Sequence, residues 1–187
     1  MSHYKSNLRD IEFNLFEVLG RDEVLGTGPF AEVDSDTARE VLAEVDRLAR
    51  EDLAASFEDS DRNPPVFDPA THSAPLPESF KKSYRAWMDA EFWRLQIREE
   101  LGGTPAPSSL NWAIGELVLG SNAPIHMYAA GPPFAGVIYN NANGVERDMR
   151  IAQIMVEREW GCTMVLTEPD AGSDVGAGRT KATPNED

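Results

Sequence analysis

A glycine-rich stretch in the C-terminal part of the sequence carries the groups best suited to binding a ligand. It reads LTEPDAGSDVGAG and covers residues 166–178. Thr167 and Ser173 offer hydroxyls, and Gly172 with two later glycines lets backbone amides approach a ligand closely. Exposed amides beside a hydroxyl form a small concavity of the kind that holds a pyrophosphate. The pattern indicates either an anion-binding turn or, more simply, a tight turn after a strand.

Three carboxylates and the glycine spacing argue against a plain phosphate-binding loop. Glu168, Asp170 and Asp174 repel a phosphate unless they point away from it or form pairs. The glycines do not follow the GxGxxG pattern, and no lysine of the nucleotide-binding P-loop follows them. By chemistry alone, Glu168 is also a candidate general base.

The overall composition limits the classes of partner. The chain has 187 residues with 41% apolar residues, eight Phe and four Trp, which is enough for one domain or slightly more. Its net charge of −15 disfavours nucleic-acid binding. A single cysteine, Cys162, forms no internal disulfide, so we expect a reducing, cytoplasmic environment. The polar N-terminus lacks the apolar core of a signal peptide, and no apolar run is long enough for a membrane span.

The histidines and the cysteine carry weaker signals. No two of His3, His72 and His126 have the spacing of metal ligands, so no metal site is predicted. His126 lies in an apolar stretch and is expected to be a hydrogen-bonded core residue. Cys162 has no neighbours that would activate it, which favours a packing role. The four tryptophans are expected in the core or at an interface.

Apolar periodicity predicts about six helices that would position these groups. They cover 7–19, 35–49, 77–101, 108–119, 123–140 and 146–159. Gly20 ends the first, Asp34, Ser35 or Thr37 caps the second, and Ser108 or Ser109 caps the fourth. The stretch 123–140 is apolar all round and predicts a buried central helix, bent or split at Pro132-Pro133. The proline-rich 57–77 predicts a long loop packed through Phe57 and Phe67.

The order of elements predicts a mainly α protein, an N-terminal helical bundle followed by the first strand and turn of an incomplete β-domain. The β-branched run CTMVLT, residues 162–167, predicts that strand. We expect an N-terminal extension with a helix at 1–34, a helical domain at 35–161 and the start of a middle β-domain at 162–187. A lone strand leaves its edges unpaired, so we expect a truncated domain or pairing with another chain.

The stretch LTEPDAGSDVGA resembles the signature of the acyl-CoA dehydrogenase family of flavoproteins. Val165 is a mild departure, because a Gly, Ala or Cys is usual there. EELGG at 99–103 and NGVERDMRIAQIMVEREWG at 143–161 are similar to a helix-ending turn and to the helix before the flavin strand in that family. The N-terminal part resembles the larger bacterial members of fatty-acid β-oxidation, which have an extended N-terminus.

The resemblance implies an FAD-dependent oxidoreductase in which two helical domains and a middle β-domain enclose FAD and an acyl-CoA. Such enzymes form a trans-2-enoyl-CoA and pass electrons to electron-transfer flavoprotein or a similar acceptor. The chain would be the N-terminal part of a homo-oligomeric enzyme of lipid metabolism and inactive alone. Other readings stay open: a flavoprotein relative acting in a stress response, or a non-enzymatic helical interaction domain.

By position in the signature, the resemblance also implies residue roles. The Thr167 hydroxyl would reach the flavin near N5 and O4, and Gly172 and Ser173 would reach the FAD pyrophosphate, Ser173 also touching the acyl-CoA. Backbone groups of Met164, Val165 and Leu166 would line the flavin ring, with strand packing as the alternative for Met164 and Leu166. Glu168 belongs to the turn in that family, and the base comes from a C-terminal helical domain. No catalytic residue is therefore expected in this chain.

Overall fold

A computed structural model describes residues 3–184, and these residues form a mainly helical bundle, as the sequence predicts. Within them the α-helices are α1 (Leu8–Glu12), α2 (Ser35–Leu48), α3 (Phe57–Arg62), α4 (Glu78–Asp89), α5 (Ser108–Tyr128), α6 (Gly131–Asn141) and α7 (Glu146–Glu157). No helix in this part of the chain is both long and apolar enough to cross a membrane.

The first two helices form where periodicity predicts them, and each continues as a π-helix. α1 continues through Phe13–Val18 and stops at Gly20, which has a φ of 58°. α2 continues through Ala49–Leu53, so its apolar stripe reaches further into the core than predicted. Asp34 caps α2, because its carboxylate accepts a 2.8 Å hydrogen bond from the backbone N–H of Thr37.

The predicted helix over 77–101 is in fact three shorter pieces. α4 stops at Asp89, and 3₁₀ turns follow at Phe92–Gln96 and Glu99–Leu101. Glu91 adopts a left-handed φ of 57°, which ends the α-helical path. The carbonyl of Met88 accepts 3.1 Å hydrogen bonds both from the buried Trp93 indole and from the amide of Glu91, which closes the last turn of α4.

The predicted helix over 123–140 is divided close to Pro132-Pro133, as expected, but its predicted place as a buried central helix is wrong. α5 runs on to Tyr128 with a kink at Asn122, and α6 begins at Gly131. Pro132 and Pro133 lie in the first turn of α6, where proline fits because those amides need no helical partner. The stretch is only partly buried, since 70% of Met127 remains exposed.

The predictions of a long loop over 57–77 and of a strand over 162–167 also differ from the structure. Residues 57–62 are helical (α3), because they continue the helical path from α2. Phe67 is 61% exposed, so the proline-rich loop does not pack through it. No strand forms at 162–167, since no second strand lies beside it within residues 3–184, where only isolated bridges occur. The boundaries of the three predicted domains stay a prediction.

The core lies where α2 and its π-helical continuation meet α4 and α5. Its fully buried side chains include Leu42, Leu53, Met88 and Leu117. α6 and α7 form an antiparallel pair beside this core. Ala135 of α6 and Ala152 of α7 are both fully buried. The last turn of α7 therefore determines where the following residues leave the bundle.

Asn122 is the buried polar residue at the kink of α5, two residues before Pro124, which interrupts the helical hydrogen bonds. It is 1% exposed, and its Nδ2 donates 3.0 Å hydrogen bonds to the carbonyl of Leu53 and the hydroxyl of Ser56. Asn122→Ala should lower the free energy of unfolding by about 2 kcal/mol, because two buried acceptors lose their donor. Urea unfolding followed by circular dichroism measures this. Asn141→Ala, which removes an exposed amide in α6, should change stability by less than about 0.5 kcal/mol; equal losses for both would contradict the assignment.

Candidate functional site

The chain leaves the helical bundle after α7 through a well-defined turn. Glu159 follows the helix with a left-handed φ of 50°, and the N–H of Trp160 bonds to the carbonyl of Met155 at 3.0 Å. A hydrogen bond from the amide of one residue to the carbonyl five positions earlier is typical of a Schellman C-cap. Glu159 occupies the left-handed position, where Gly is more common. Trp160 itself is exposed. We call residues 162–180, which follow this turn, the motif segment.

The first part of the motif segment lies on the surface. Residues 162–167 are all exposed, and the side chain of Val165 is 94% exposed. Met164 and Leu166 are likewise exposed, and the two alternatives for them, flavin contact and strand packing, stay predictions. Apolar side chains left in water favour contact with a further surface.

A tight turn follows and holds the signature residues together. Glu168 and Ala171 exchange two backbone hydrogen bonds of 3.1 Å, and Ala171 is 2% exposed. Thr167, Gly172 and Ser173 lie on either side of this pair and are exposed. The backbone amides of Gly172 and Ser173 make no hydrogen bond with any residue of the described range. The turn therefore offers two amides and two hydroxyls to an incoming acceptor group.

The carboxylate of Glu168 serves the turn itself. It accepts hydrogen bonds from the backbone amides of Arg179, at 2.7 Å, and Thr180, at 2.8 Å. These bonds lower the pKa of Glu168 below its ordinary value, with the amide of Arg179 as the main cause. A Cβ on Gly178 would lie 3.3 Å from the same carboxylate, so the chain passes very close to it. Glu168 thus has a structural role here and is not poised as a general base.

The two hydrogen bonds that the Glu168 carboxylate accepts from residues 179 and 180 should depend on pH. The pKa of Glu168 is lower in the folded chain than its ordinary value of about 4.5. The two hydrogen bonds are therefore fully formed above that ordinary value and are lost as the pH falls through the lower, folded pKa. Amide hydrogen exchange at Arg179 and Thr180 should therefore show protection at neutral pH that is lost as the pH falls below the ordinary pKa of about 4.5. Glu168→Ala should abolish the protection at neutral pH, whereas Asp170→Ala should leave it intact. Protection that persists in Glu168→Ala would contradict this role.

Two neighbouring clefts open on the helical bundle. The first, which we call the aromatic cleft, has a volume of about 290 Å³, and its walls include Trp87, Trp93, Ala130 and Phe134. The second, which we call the polar cleft, has about 280 Å³ and is lined by Gln96, Ser108, Asn111, Trp112 and His126.

Gln96 and His126 line both clefts, so the two volumes lie side by side. His126 is half-buried, and burial lowers its pKa, which favours a neutral imidazole. It makes no hydrogen bond within the described residues, so the expectation of a hydrogen-bonded core histidine is wrong. Sequence reasoning missed this position, because α5 and α6 had to be placed before their shared cleft was visible.

Asn111, in the wall of the polar cleft, joins two backbone segments. Asn111 donates through Nδ2 to the carbonyls of Leu95, at 3.1 Å, and Ala106, at 3.0 Å. Its Oδ1 is buried and has no hydrogen-bond partner among residues 3–184. The described part of the chain holds no group of three or more His, Cys, Asp or Glu that suits a metal ion.

The sequence matches known dehydrogenases over nearly its whole length. It is 58% identical, over 182 residues, to a broad-specificity linear acyl-CoA dehydrogenase of Mycobacterium tuberculosis. It is 29% identical over 203 residues to a butyryl-CoA dehydrogenase of Syntrophomonas wolfei and 26% identical over 187 residues to a 3-methylmercaptopropionyl-CoA dehydrogenase of Ruegeria pomeroyi. No family model matches the chain.

These matches cover 97% to 100% of this chain but only 30% or 31% of the length of each relative. The resemblance predicted from the signature is therefore confirmed. The chain is a homologue of acyl-CoA dehydrogenases and corresponds to their N-terminal part.

Proposed function

We propose that this chain is the N-terminal part of an FAD-dependent acyl-CoA dehydrogenase that oxidises fatty acyl-CoA to trans-2-enoyl-CoA in β-oxidation. The observation that carries the proposal is the exposed motif segment, whose amides and hydroxyls are free to meet a ligand. We call the longer polypeptide of which this chain would be part the parent enzyme.

The residues of the motif segment fit FAD. Gly172 and Ser173 would donate their unpaired amides to its pyrophosphate, since oriented amides bind anions without a positive side chain. The Thr167 hydroxyl would hydrogen-bond the flavin ring, and backbone groups of Met164, Val165 and Leu166 would lie along it. Bound FAD would supply the hydride acceptor, while these residues would hold and orient it. Ser173 would also contact the acyl-CoA.

The aromatic cleft is suited to the apolar part of the substrate. Its walls combine tryptophan, phenylalanine and alanine side chains, and water is easily displaced from such surfaces. The walls of the adjoining polar cleft include Gln96, Ser108 and His126, whose polar groups suit the amides that an acyl-CoA carries in its pantetheine arm. We propose that the two clefts contribute part of the acyl-CoA site, with the remainder supplied by the rest of the parent enzyme.

The catalytic base would lie outside this chain. Glu168 is engaged with two backbone amides, so it is not available to remove a proton from the substrate. Within the proposal, the chain alone would therefore be inactive and would not retain FAD. The parent enzyme would be a cytoplasmic homo-oligomer that passes its electrons to electron-transfer flavoprotein or a similar acceptor.

The exposed residues 162–167 favour one alternative function. An unpaired run with β-branched residues can add as a strand to the edge of a sheet in another protein. The chain would then be a helical interaction domain with no redox chemistry of its own. The remaining reading, a flavoprotein of a stress response, shares the FAD site and differs in its substrate.

A turnover assay separates these functions. The coding sequence should continue beyond residue 187 through a β-domain and a helical domain that supplies a carboxylate base. The purified parent enzyme should convert butyryl- to long-chain acyl-CoA into enoyl-CoA when an electron acceptor is present. A flavin-containing parent enzyme that oxidises none of these substrates would favour the stress-response reading. A stop codon after residue 187 together with binding to a partner sheet would favour the interaction domain.

A further inference from the structure

The point at which the motif segment leaves the bundle is held by an unusually close backbone contact. A Cβ on Gly131, the first residue of α6, would lie 1.8 Å from the carbonyl oxygen of Trp160 and 3.0 Å from the Cα of Gly161. Real Cβ atoms do not approach backbone atoms this closely, so only glycine fits at position 131. The start of α6 therefore touches the chain directly before the motif segment.

An ion pair holds the same turn from another side. Arg85 of α4 contacts the carboxylate of Glu159 at 2.8 Å, although the two residues are 74 positions apart. Glu159 has a left-handed backbone, which is unfavourable for any residue other than glycine. Its carboxylate is in a position where it reaches Arg85, and the pair links the end of α7 to α4. We call Gly131, Trp160 and the Arg85–Glu159 pair the exit junction.

The helices that form the exit junction also form the aromatic cleft. Ala130 and Pro133, on either side of Gly131, line the cleft, and so does Trp87, two residues from Arg85. If α6 shifted relative to Trp160, the wall of the aromatic cleft would therefore shift relative to the start of the motif segment. Residues 162–167 directly after the junction are exposed, so they add little packing of their own to this relation.

We propose that Gly131 is a positioning residue, which fixes the motif segment relative to the aromatic cleft by its contact with the Trp160 carbonyl. The Arg85–Glu159 pair supports the same placement. This inference rests on the proposed function to the extent that the cleft holds the acyl chain and the motif segment holds FAD. Gly131 would then determine how the reacting carbon of the substrate lies against the flavin, without touching either.

Two matched variants of α6 test the proposal. Gly131→Ala places a methyl group against the Trp160 carbonyl, whereas Gly136→Ala adds one where no atom lies within 4 Å. In the parent enzyme, Gly131→Ala should lower kcat by about 100-fold, because a misplacement of about 1 Å suffices for such a loss. KM and FAD content should change much less. Gly136→Ala should alter kcat by less than about twofold.

Hydrogen exchange on the 187-residue chain tests the exit junction without reference to any activity. Gly131→Ala should increase amide exchange in residues 158–180 and leave the core of α2 unchanged, whereas Gly136→Ala should change neither. If exchange responds as stated while the parent enzyme has no dehydrogenase activity, the proposed function fails and the junction stands. Unchanged exchange and unchanged kcat in Gly131→Ala would overturn the inference.

The ion pair provides a second, milder variant in case Gly131→Ala does not fold. Arg85→Met keeps the aliphatic length of the side chain and removes its charge, so Glu159 loses its partner. Arg85→Met should raise amide exchange in residues 158–180 and lower kcat by about threefold to tenfold. Arg85→Lys keeps the positive charge, so its exchange and its kcat should stay much closer to those of the unchanged protein. Equal behaviour of Arg85→Met, Arg85→Lys and the unchanged protein would contradict the role of the pair.

Discussion

Gly103→Ala should lower the free energy of unfolding of the helical bundle by about 3 kcal/mol, which is large for a single added methyl group. A Cβ at this position would lie 2.0 Å from the carbonyl oxygen of Ile97 and 2.3 Å from its carbonyl carbon. Ile97 is 1% exposed, and the added methyl group would overlap its buried backbone. Urea unfolding followed by tryptophan fluorescence measures the loss, because Trp93 lies in the same buried region.

The neighbouring glycine is the matched control. Gly102 has a φ of 80°, but the nearest atom to a Cβ there is the Arg94 guanidinium at 3.8 Å. Gly102→Ala should therefore cost only the strain of a left-handed alanine, about 1 kcal/mol. The close approach at Gly103 arises because its amide bonds to the carbonyl of Arg98 at 3.1 Å. A Gly103→Ala protein no less stable than Gly102→Ala would show that this turn is packed differently.

Thr167→Val in the parent enzyme should weaken FAD binding by about tenfold and shift the flavin absorption band. Valine keeps the shape of threonine but removes the hydroxyl proposed to bond the flavin ring. A lost hydrogen bond in a desolvated site is worth about 1.4 kcal/mol, which corresponds to that tenfold change. Titration of the apoprotein with FAD and the visible spectrum of the complex measure the two effects.

Thr163→Val is the control for this experiment, because Thr163 lies in the same exposed run and is outside the signature residues. It should change FAD affinity by less than about twofold. If Thr167→Val binds FAD with unchanged affinity and spectrum and turns over acyl-CoA at the normal rate, the role assigned to Thr167 is wrong.

Local patterns in the sequence predict the helical part of the fold well. The apolar stripe of α2 and the cap at Asp34 are short-range features, since a helix satisfies its own backbone groups. The end of α1 at Gly20 and the end of the third helical stretch at Gly102 follow from the same local chemistry. The signature resemblance, confirmed by the dehydrogenase relatives, also came from a short contiguous run of residues.

The features that the sequence did not reveal depend on residues far apart in the chain. The kink of α5 lies just before Pro124, and the Asn122 side chain at the kink bonds to acceptors at Leu53 and Ser56, almost seventy positions away. The close approach of Gly131 to Trp160 likewise requires α6 and α7 to be packed first. The β-branched run at 162–167 has strand propensity, but a strand needs a neighbouring strand to pair with, and residues 3–184 do not provide one.

The central claim is that the motif segment forms part of an FAD site in an acyl-CoA dehydrogenase. The most direct test is the visible absorption spectrum of the purified parent enzyme before and after anaerobic addition of an acyl-CoA. The proposal predicts about one FAD per polypeptide and bleaching of the flavin band by the substrate. A parent enzyme without bound flavin that also fails to bind added FAD, or a flavin band that no acyl-CoA from butyryl to long-chain bleaches, would contradict it.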